Sequence, residues 1–277
     1  MKKTFTFLLF LLVGSGVFFS CQDDQDINTL DVSDAVRGQL IGLGFDVIKQ
    51  APIKFDQGYL VEGDIYLTDA DLASMKRGDK LPEVEQYSTN NLVNAGAGRV
   101  ITIFAPVGGT NGYSTGMIAG LDLAISRYNA ENLNIRFQRV LSSTGANIVM
   151  SRLTKSQERQ GVLGSAGFPT ASGDPYNQIK MSGVLESSYR LTTAGIATII
   201  GHEMGHCIGF RHTDYYNRAI SCGGAVSNEG ASTVGANLIP GTPATATASA
   251  KSWMLACTDG GDRPFNNDDK TALNYLY

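Results

Sequence analysis

Histidine is scarce in this chain, with 3 residues among 277. Any chemistry that needs an imidazole must be built from those three. Basic side chains are also few, 22 Lys and Arg against 26 Asp and Glu, for a net charge of -4. A cationic patch of the kind that binds nucleic acid is therefore not expected, and a nucleic-acid partner is excluded. Cysteine is limited to Cys21, Cys207, Cys222 and Cys257, and no internal repeat is present. Glycine, in contrast, is abundant at 32 residues. Much of it lies beyond residue 160, which predicts a second half rich in irregular loops. With 43% hydrophobic and 17% charged residues, the chain has enough apolar material for one sizeable packed domain and a smaller attachment.

Lys2 and Lys3 precede an apolar stretch, residues 4–19, that is too short to span a membrane comfortably. Residues 1–20 read as an export signal. The sequence Phe18-Phe19-Ser20-Cys21 resembles a bacterial lipobox, which makes Cys21 a lipidated N-terminus and its acyl chain the only expected membrane contact. Asp23, Asp24 and Asp26 resemble the acidic surface-export signal that follows such a cysteine. The expected location is the outer membrane or cell surface, with a main domain that a cut can release. An exported chain meets oxidising conditions, so one disulfide is expected among the three remaining thiols. Three pairings are open. Cys222–Cys257 is favoured, because these two flank a long irregular stretch, whereas Cys207 lies mid-helix and reads as a small buried apolar residue.

Residues 21–97 read as an N-terminal pro-like segment and linker, and residues 98–277 as the main domain. In the first part, residues 32–43 have helical apolar spacing and stop at Gly44. Residues 58–67 read as a strand interrupted by Gly63. Thr68 and Asp71 make a capping-box pattern for a short helix over 69–76. Residues 77–97 suit a linker, with Arg77, Lys80 and Glu83 as candidate processing positions. In the second part, the pattern predicts a strand over 99–106, a helix over 116–129, and strands over 135–141 and 147–153. Weaker strands follow over 161–168 and 178–181, then a long helix over 191–210. A final helix over 268–277 is capped by Asn266 or Asn267. The fold class is α+β.

All three histidines fall in Gly201-His202-Glu203-Met204-Gly205-His206-Cys207-Ile208-Gly209-Phe210-Arg211-His212-Thr213-Asp214. On a helix, His202 and His206 share one face. Gly209 can end the helix in a left-handed conformation and turn the chain, bringing His212 back as a third ligand. Three neutral ligands leave a fourth position open, the arrangement of a catalytic zinc. Glu203 sits one position round, suited to accept a proton from a water at that open position.

This stretch resembles the extended metzincin motif, His-Glu-x-x-His-x-x-Gly-x-x-His, and most of all the bacterial HEIGH-type metallopeptidases, relatives of astacins and matrixins. The resemblance implies a metzincin-like catalytic domain: a twisted mixed sheet, a zinc-binding helix, a methionine turn and a C-terminal helix. It implies zinc as cofactor and hydrolysis of protein or peptide substrates, with Glu203 as general base. Ser252-Trp253-Met254, 42 residues after His212 (254 minus 212), fits the methionine turn, with Met254 its namesake. Ala256 stands where astacins place a further tyrosine ligand, so no such ligand is expected. Residues 163–169 are similar to the edge strand that pairs with substrate, and residues 239–243 to a wall of the substrate pocket. In the N-terminal segment, Val61-Glu62-Gly63-Asp64-Ile65 resembles the Phe-x-Gly-Asp-Ile motif of astacin prosegments. That resemblance makes Asp64 a latency switch occupying the open zinc position. No cysteine lies in residues 22–98, which excludes a thiolate plug from this segment. Two other readings stay open: an adhesion lipoprotein whose zinc is structural, and a peptidase devoted to one processing event.

Overall fold

A computed structural model describes residues 32–43, 45, 47, 50–74, 86–230, 234–243 and 245–277. The export signal, Cys21, and Arg77, Lys80 and Glu83 lie outside the described residues. No helix among the described residues is long and apolar enough to cross a membrane.

The N-terminal part comprises α1 (Asp34–Leu43), β1 (Ile53–Phe55), β2 (Gly58–Val61), β3 (Ile65–Thr68) and α2 (Asp69–Ser74). The run 58–67, expected as one interrupted strand, is an antiparallel hairpin in which Val61 pairs with Ile65. Its turn bends because Glu62 and Gly63 both adopt positive φ, 55° and 94°. Glycine takes that region freely, whereas Glu62 needs support from its surroundings. Leu40, Leu43, Val61, Ile65, Leu67 and Leu72 bury against one another in a small core of their own.

The strands β4 (Tyr87–Ser88), β5 (Arg99–Phe104), β6 (Ile135–Val140), β7 (Ile148–Arg152), β8 (Gly164–Ala166), β9 (Gln178–Met181) and β10 (Asn237–Leu238) follow, with helices α3 (Thr115–Ala130), α4 (Lys155–Arg159), α5 (Thr193–Ile208), α6 (Ala219–Cys222) and α7 (Asn267–Leu276). The main sheet runs β1-β2-β3-β8-β9-β7-β5-β6. The strands β6, β5, β7 and β9 are parallel, and β8 is antiparallel to β9. This is the expected α+β, metzincin-like arrangement. The segment 163–169 contributes β8, and its outer side pairs in parallel with β3 through Ile65 and Ala166. The hairpin thus extends the catalytic sheet.

Helix α3 is capped by Ser114, whose side chain accepts from Met117 N. Met117, Leu121, Ala124, Ile125 and Tyr128 form its buried stripe. Helix α5 is capped by Thr192 and apolar almost all round, so it runs through the core rather than along it. Short elements without strong periodicity were not legible: β1, β4, β10 and α4, the last announced only by a Thr154–Gln157 capping box. Residues 86–88, assigned to the linker, are built into the molecule. Gln86 and Tyr87 are buried, and β4 pairs with β10.

Candidate metal centre

Helix α5 carries His202, Glu203 and His206, all buried, one turn before its end. Gly209 closes the helix at φ 108°, its N–H bonding Gly205 O and His206 O, and His212 returns to the same point. His206 Nε2 and His212 Nε2 lie 3.2 Å apart. The hairpin turn supplies the fourth group: Asp64 Oδ2 is 3.2 Å from His212 Nε2 and 3.5 Å from His202 Nε2. One atom from each of these four residues lies within 4.8 Å of the others. Asp64 is held there by its backbone, whose carbonyl accepts from Ala166 N at 3.1 Å.

Each imidazole is oriented through its other nitrogen. His202 Nδ1 meets Trp253 O at 2.9 Å, and His206 Nδ1 meets Phe210 O at 2.9 Å. A carbonyl only accepts, so both Nδ1 atoms donate and both Nε2 atoms present lone pairs inward. His212 Nδ1 lies 2.7 Å from Glu229 Oε1. His202 Nε2 is buried with no hydrogen-bond partner. Converging lone pairs around an unpartnered buried nitrogen, beside a carboxylate, fit a divalent cation.

Burial and mutual contact shift the four groups in different directions. Burial, and then the neighbouring His202 and His212, hold His206 well below its ordinary value. Burial also pulls His212 down, but Asp64 and Glu229 outweigh it and push it up to about 10. Burial opposes ionisation of Asp64, yet its contacts with the histidines hold its carboxyl well below the usual carboxylate range. Burial, and then the Asp64 charge, push Glu203 well above that range.

Trp253 and Met254 lie under the site, both buried. Met254 O accepts from Thr213 N at 2.8 Å, so the turn is bonded to the helix through Trp253 and to the chain after His212 through Met254. Cys222 and Cys257 are disulfide-bonded, with Cα atoms 5.1 Å apart. Cys207 is free and buried, its thiol pushed up by burial. Sequence reasoning missed Glu229, Arg211, Arg218 and Asp214. Glu229 accepts from Arg218 as well as facing His212. Asp214 accepts from Ser221 Oγ at 2.6 Å and Ala256 N at 2.9 Å, linking the post-motif chain to the methionine turn. One signal was available: Glu229 is the only acidic residue between Asp214 and Asp259.

A cavity of about 240 Å³ opens beside the histidines, lined among others by Glu62, His202, Glu203, Arg218, Ala256 and Arg263. Residues 239–243 do not line it. Ile239 is buried in the core, its N–H bonded to Gln86 O, and the turn after Met254 contributes Leu255 and Ala256 to the cavity.

The family model for dual-action HEIGH metallo-peptidases matches residues 59–277, from the hairpin to the C-terminus. Among solved structures, myroilysin is similar over 77% of this chain and 98% of its own, at 14% identity and a TM-score of 0.38. The GM1-bound form of the ECX AB5 holotoxin is similar over 50% of this chain and 66% of its own, at 16% identity and a TM-score of 0.32. No curated protein matches the chain.

Proposed function

Because the chain belongs to the dual-action HEIGH metallopeptidases and so acts on protein or peptide, we propose that it is a zinc endopeptidase made in a latent, lipid-anchored form. The observation that carries this reading is the convergence of three buried imidazole Nε2 atoms with every Nδ1 committed elsewhere. His202, His206 and His212 would hold zinc, a metal that favours tetrahedral nitrogen and oxygen ligands. Bound zinc supplies a Lewis acid that acidifies water and polarises the scissile carbonyl. Glu203 takes the proton of the attacking water and delivers it to the leaving amine. His202, His206 and His212 keep their orientation through Trp253 O, Phe210 O and Glu229. The methionine turn holds the first of these carbonyls in place.

In the latent form the Asp64 carboxylate fills the position that the attacking water needs. Burial, and then the Asp64 charge, raise Glu203, and departure of the hairpin removes the second of these as it frees the position. Release requires a cut in the linker expected over residues 77–97, with Arg77, Lys80 and Glu83 as the candidate positions. With lipid on Cys21, the hairpin stays at the outer membrane or cell surface while the catalytic part is free to leave.

The reading is tested by zinc analysis and casein cleavage on the protease-activated chain. Wild type should carry about one zinc per chain and cleave casein. Glu203→Gln should keep the metal and lose turnover by about a hundredfold or more, and His206→Ala should lose both. Near wild-type turnover by Glu203→Gln would overturn the assigned mechanism.

A further inference from the structure

The cavity beside the histidines is lined by Arg263 as well as by His202 and Glu203, and the mechanism does not use Arg263. Its apolar lining includes Ile199, Trp253 and Leu255, all buried. A largely apolar hollow with a few fixed polar groups is the usual form of a ligand pocket. Arg263 is 7% exposed. Its backbone N–H donates to Thr198 Oγ1 at 2.8 Å, one turn before His202 on α5, so its position is tied to the helix that carries the metal ligands. Its Nη1 donates to Cys257 O at 2.9 Å, and its Nη2 meets Asp259 Oδ1 at 3.4 Å.

The third nitrogen is left over. Outside the hairpin, three cavity residues hold a buried polar atom with no hydrogen-bond partner among the described residues: His202 Nε2, Glu203 Oε2 and Arg263 Nε. The first serves the metal and the second the proton of the attacking water. Arg263 Nε is a donor that neither step satisfies. A buried donor without an acceptor is costly, and a ligand that brings the acceptor recovers that cost.

The pocket calls for an acceptor and not for a counter-charge. Two cationic side chains line it, and each already meets an anion: Arg218 donates to Glu229, and Arg263 pairs with Asp259. An incoming carboxylate would find no unmatched cation and would stand near the Glu203 carboxyl, with its own desolvation left uncompensated. A carboxamide oxygen supplies the acceptor without a charge. Thr258 at the lining is exposed, so water serves the amide's NH2 group.

We propose that this cavity is a substrate subsite for the side-chain carboxamide of a Gln or Asn beside the scissile bond, with Arg263 the residue that selects it. The proposal rests on the endopeptidase reading and adds a side-chain preference to it.

The test uses the full chain activated by limited proteolysis and a peptide library that places Gln, Glu, Met, Asn, Asp and Leu at each position around the cut. At one position within two residues of the scissile bond, Gln should be cleaved about tenfold faster than Met, or Asn than Leu, the scale of a hydrogen bond to a charged group. The amide should also exceed its matching acid there. Arg263→Met should bring the amide-to-apolar ratio toward one on the same preparation, whatever it does to the absolute rate. Cleavage with no amide preference at any position, or an acid that exceeds the amide, overturns the proposal and leaves the endopeptidase reading standing. An amide preference that survives Arg263→Met overturns it equally. Absence of all cleavage contradicts the endopeptidase reading instead, and a second measurement on the intact chain then decides the pocket. Butyramide should shift the magnetic resonance signal of the Arg263 Nε–H saturably, the signal being identified by its absence from Arg263→Lys, and butyrate at matched ionic strength should not. A signal that butyramide leaves in place removes the pocket.

Discussion

The helix Thr193–Ile208 and the irregular stretch from residue 215 to residue 258 supply opposite sides of one metal centre by different means. The helix places His202 and His206 by its own period, so their convergence is local. The irregular stretch contributes Glu229 to His212 across 17 positions and the Trp253 carbonyl to His202 across 51. Its contributions exist only when the tertiary fold is complete. The comparison teaches that ligands and their orienting partners are encoded differently: the first by spacing, the second by long-range hydrogen bonds.

If the irregular stretch orients the site, breaking it should cost more than loop trimming usually does. The largest effect expected is from the disulfide. Cys222–Cys257 closes a 35-residue span, and the chain-entropy model gives such a bridge about 3–4 kcal/mol. Urea unfolding of Cys222→Ser with Cys257→Ser should show a loss of that order, and less than about 1 kcal/mol would mean that the stretch is braced by other bonds.

Glu229→Gln comes next. It keeps shape and an amide oxygen that can still accept, but removes the negative charge that faces both His212 and Arg218. Zinc affinity should fall by about 10–100-fold, the usual cost of losing a partner behind a ligand. Competition with a chelator of known affinity measures it. Unchanged affinity would reduce Glu229 to packing.

The smallest effect belongs to Asp269, where the irregular stretch meets the C-terminal helix. Burial pushes its carboxyl up to about 7, even though Gln86 Nε2 at 2.6 Å and Asn266 N at 2.9 Å donate to it. A carboxyl raised above its unfolded value of about 3.9 stabilises fully below that value and loses the contribution as pH rises through the folded one. Stability of wild type minus that of Asp269→Asn should therefore fall between about pH 4 and about pH 7, by about 1 kcal/mol or more. A flat difference would mean that the donors keep Asp269 ionised.

The same contrast governs what was legible in the sequence. His202, Glu203, His206, Gly209 and His212 were legible because i,i+4 spacing and one glycine define their geometry, and the long elements α3, α5, β5 and β6 followed from apolar periodicity. The hairpin at residues 58–68 was read as one strand, because its turn contains a single glycine and Glu62 takes its positive φ from tertiary contacts that no local rule encodes. Glu229 and Arg218 lie where periodicity is absent. Cys222 and Cys257 were favoured only because they flank that stretch, and their bond is present. Asp64 was reached through a five-residue resemblance, and the structure sets its carboxylate among the three histidines.

The central claim, that one metal centre is shared by the helix histidines and the hairpin aspartate, is tested most directly by comparing intact, uncut wild type with intact Asp64→Ala for zinc content and casein cleavage. The account predicts equal zinc, about one per chain, and at least about tenfold faster cleavage by Asp64→Ala. Equal activity at equal zinc would contradict it, since Asp64 would then not be what keeps the site closed.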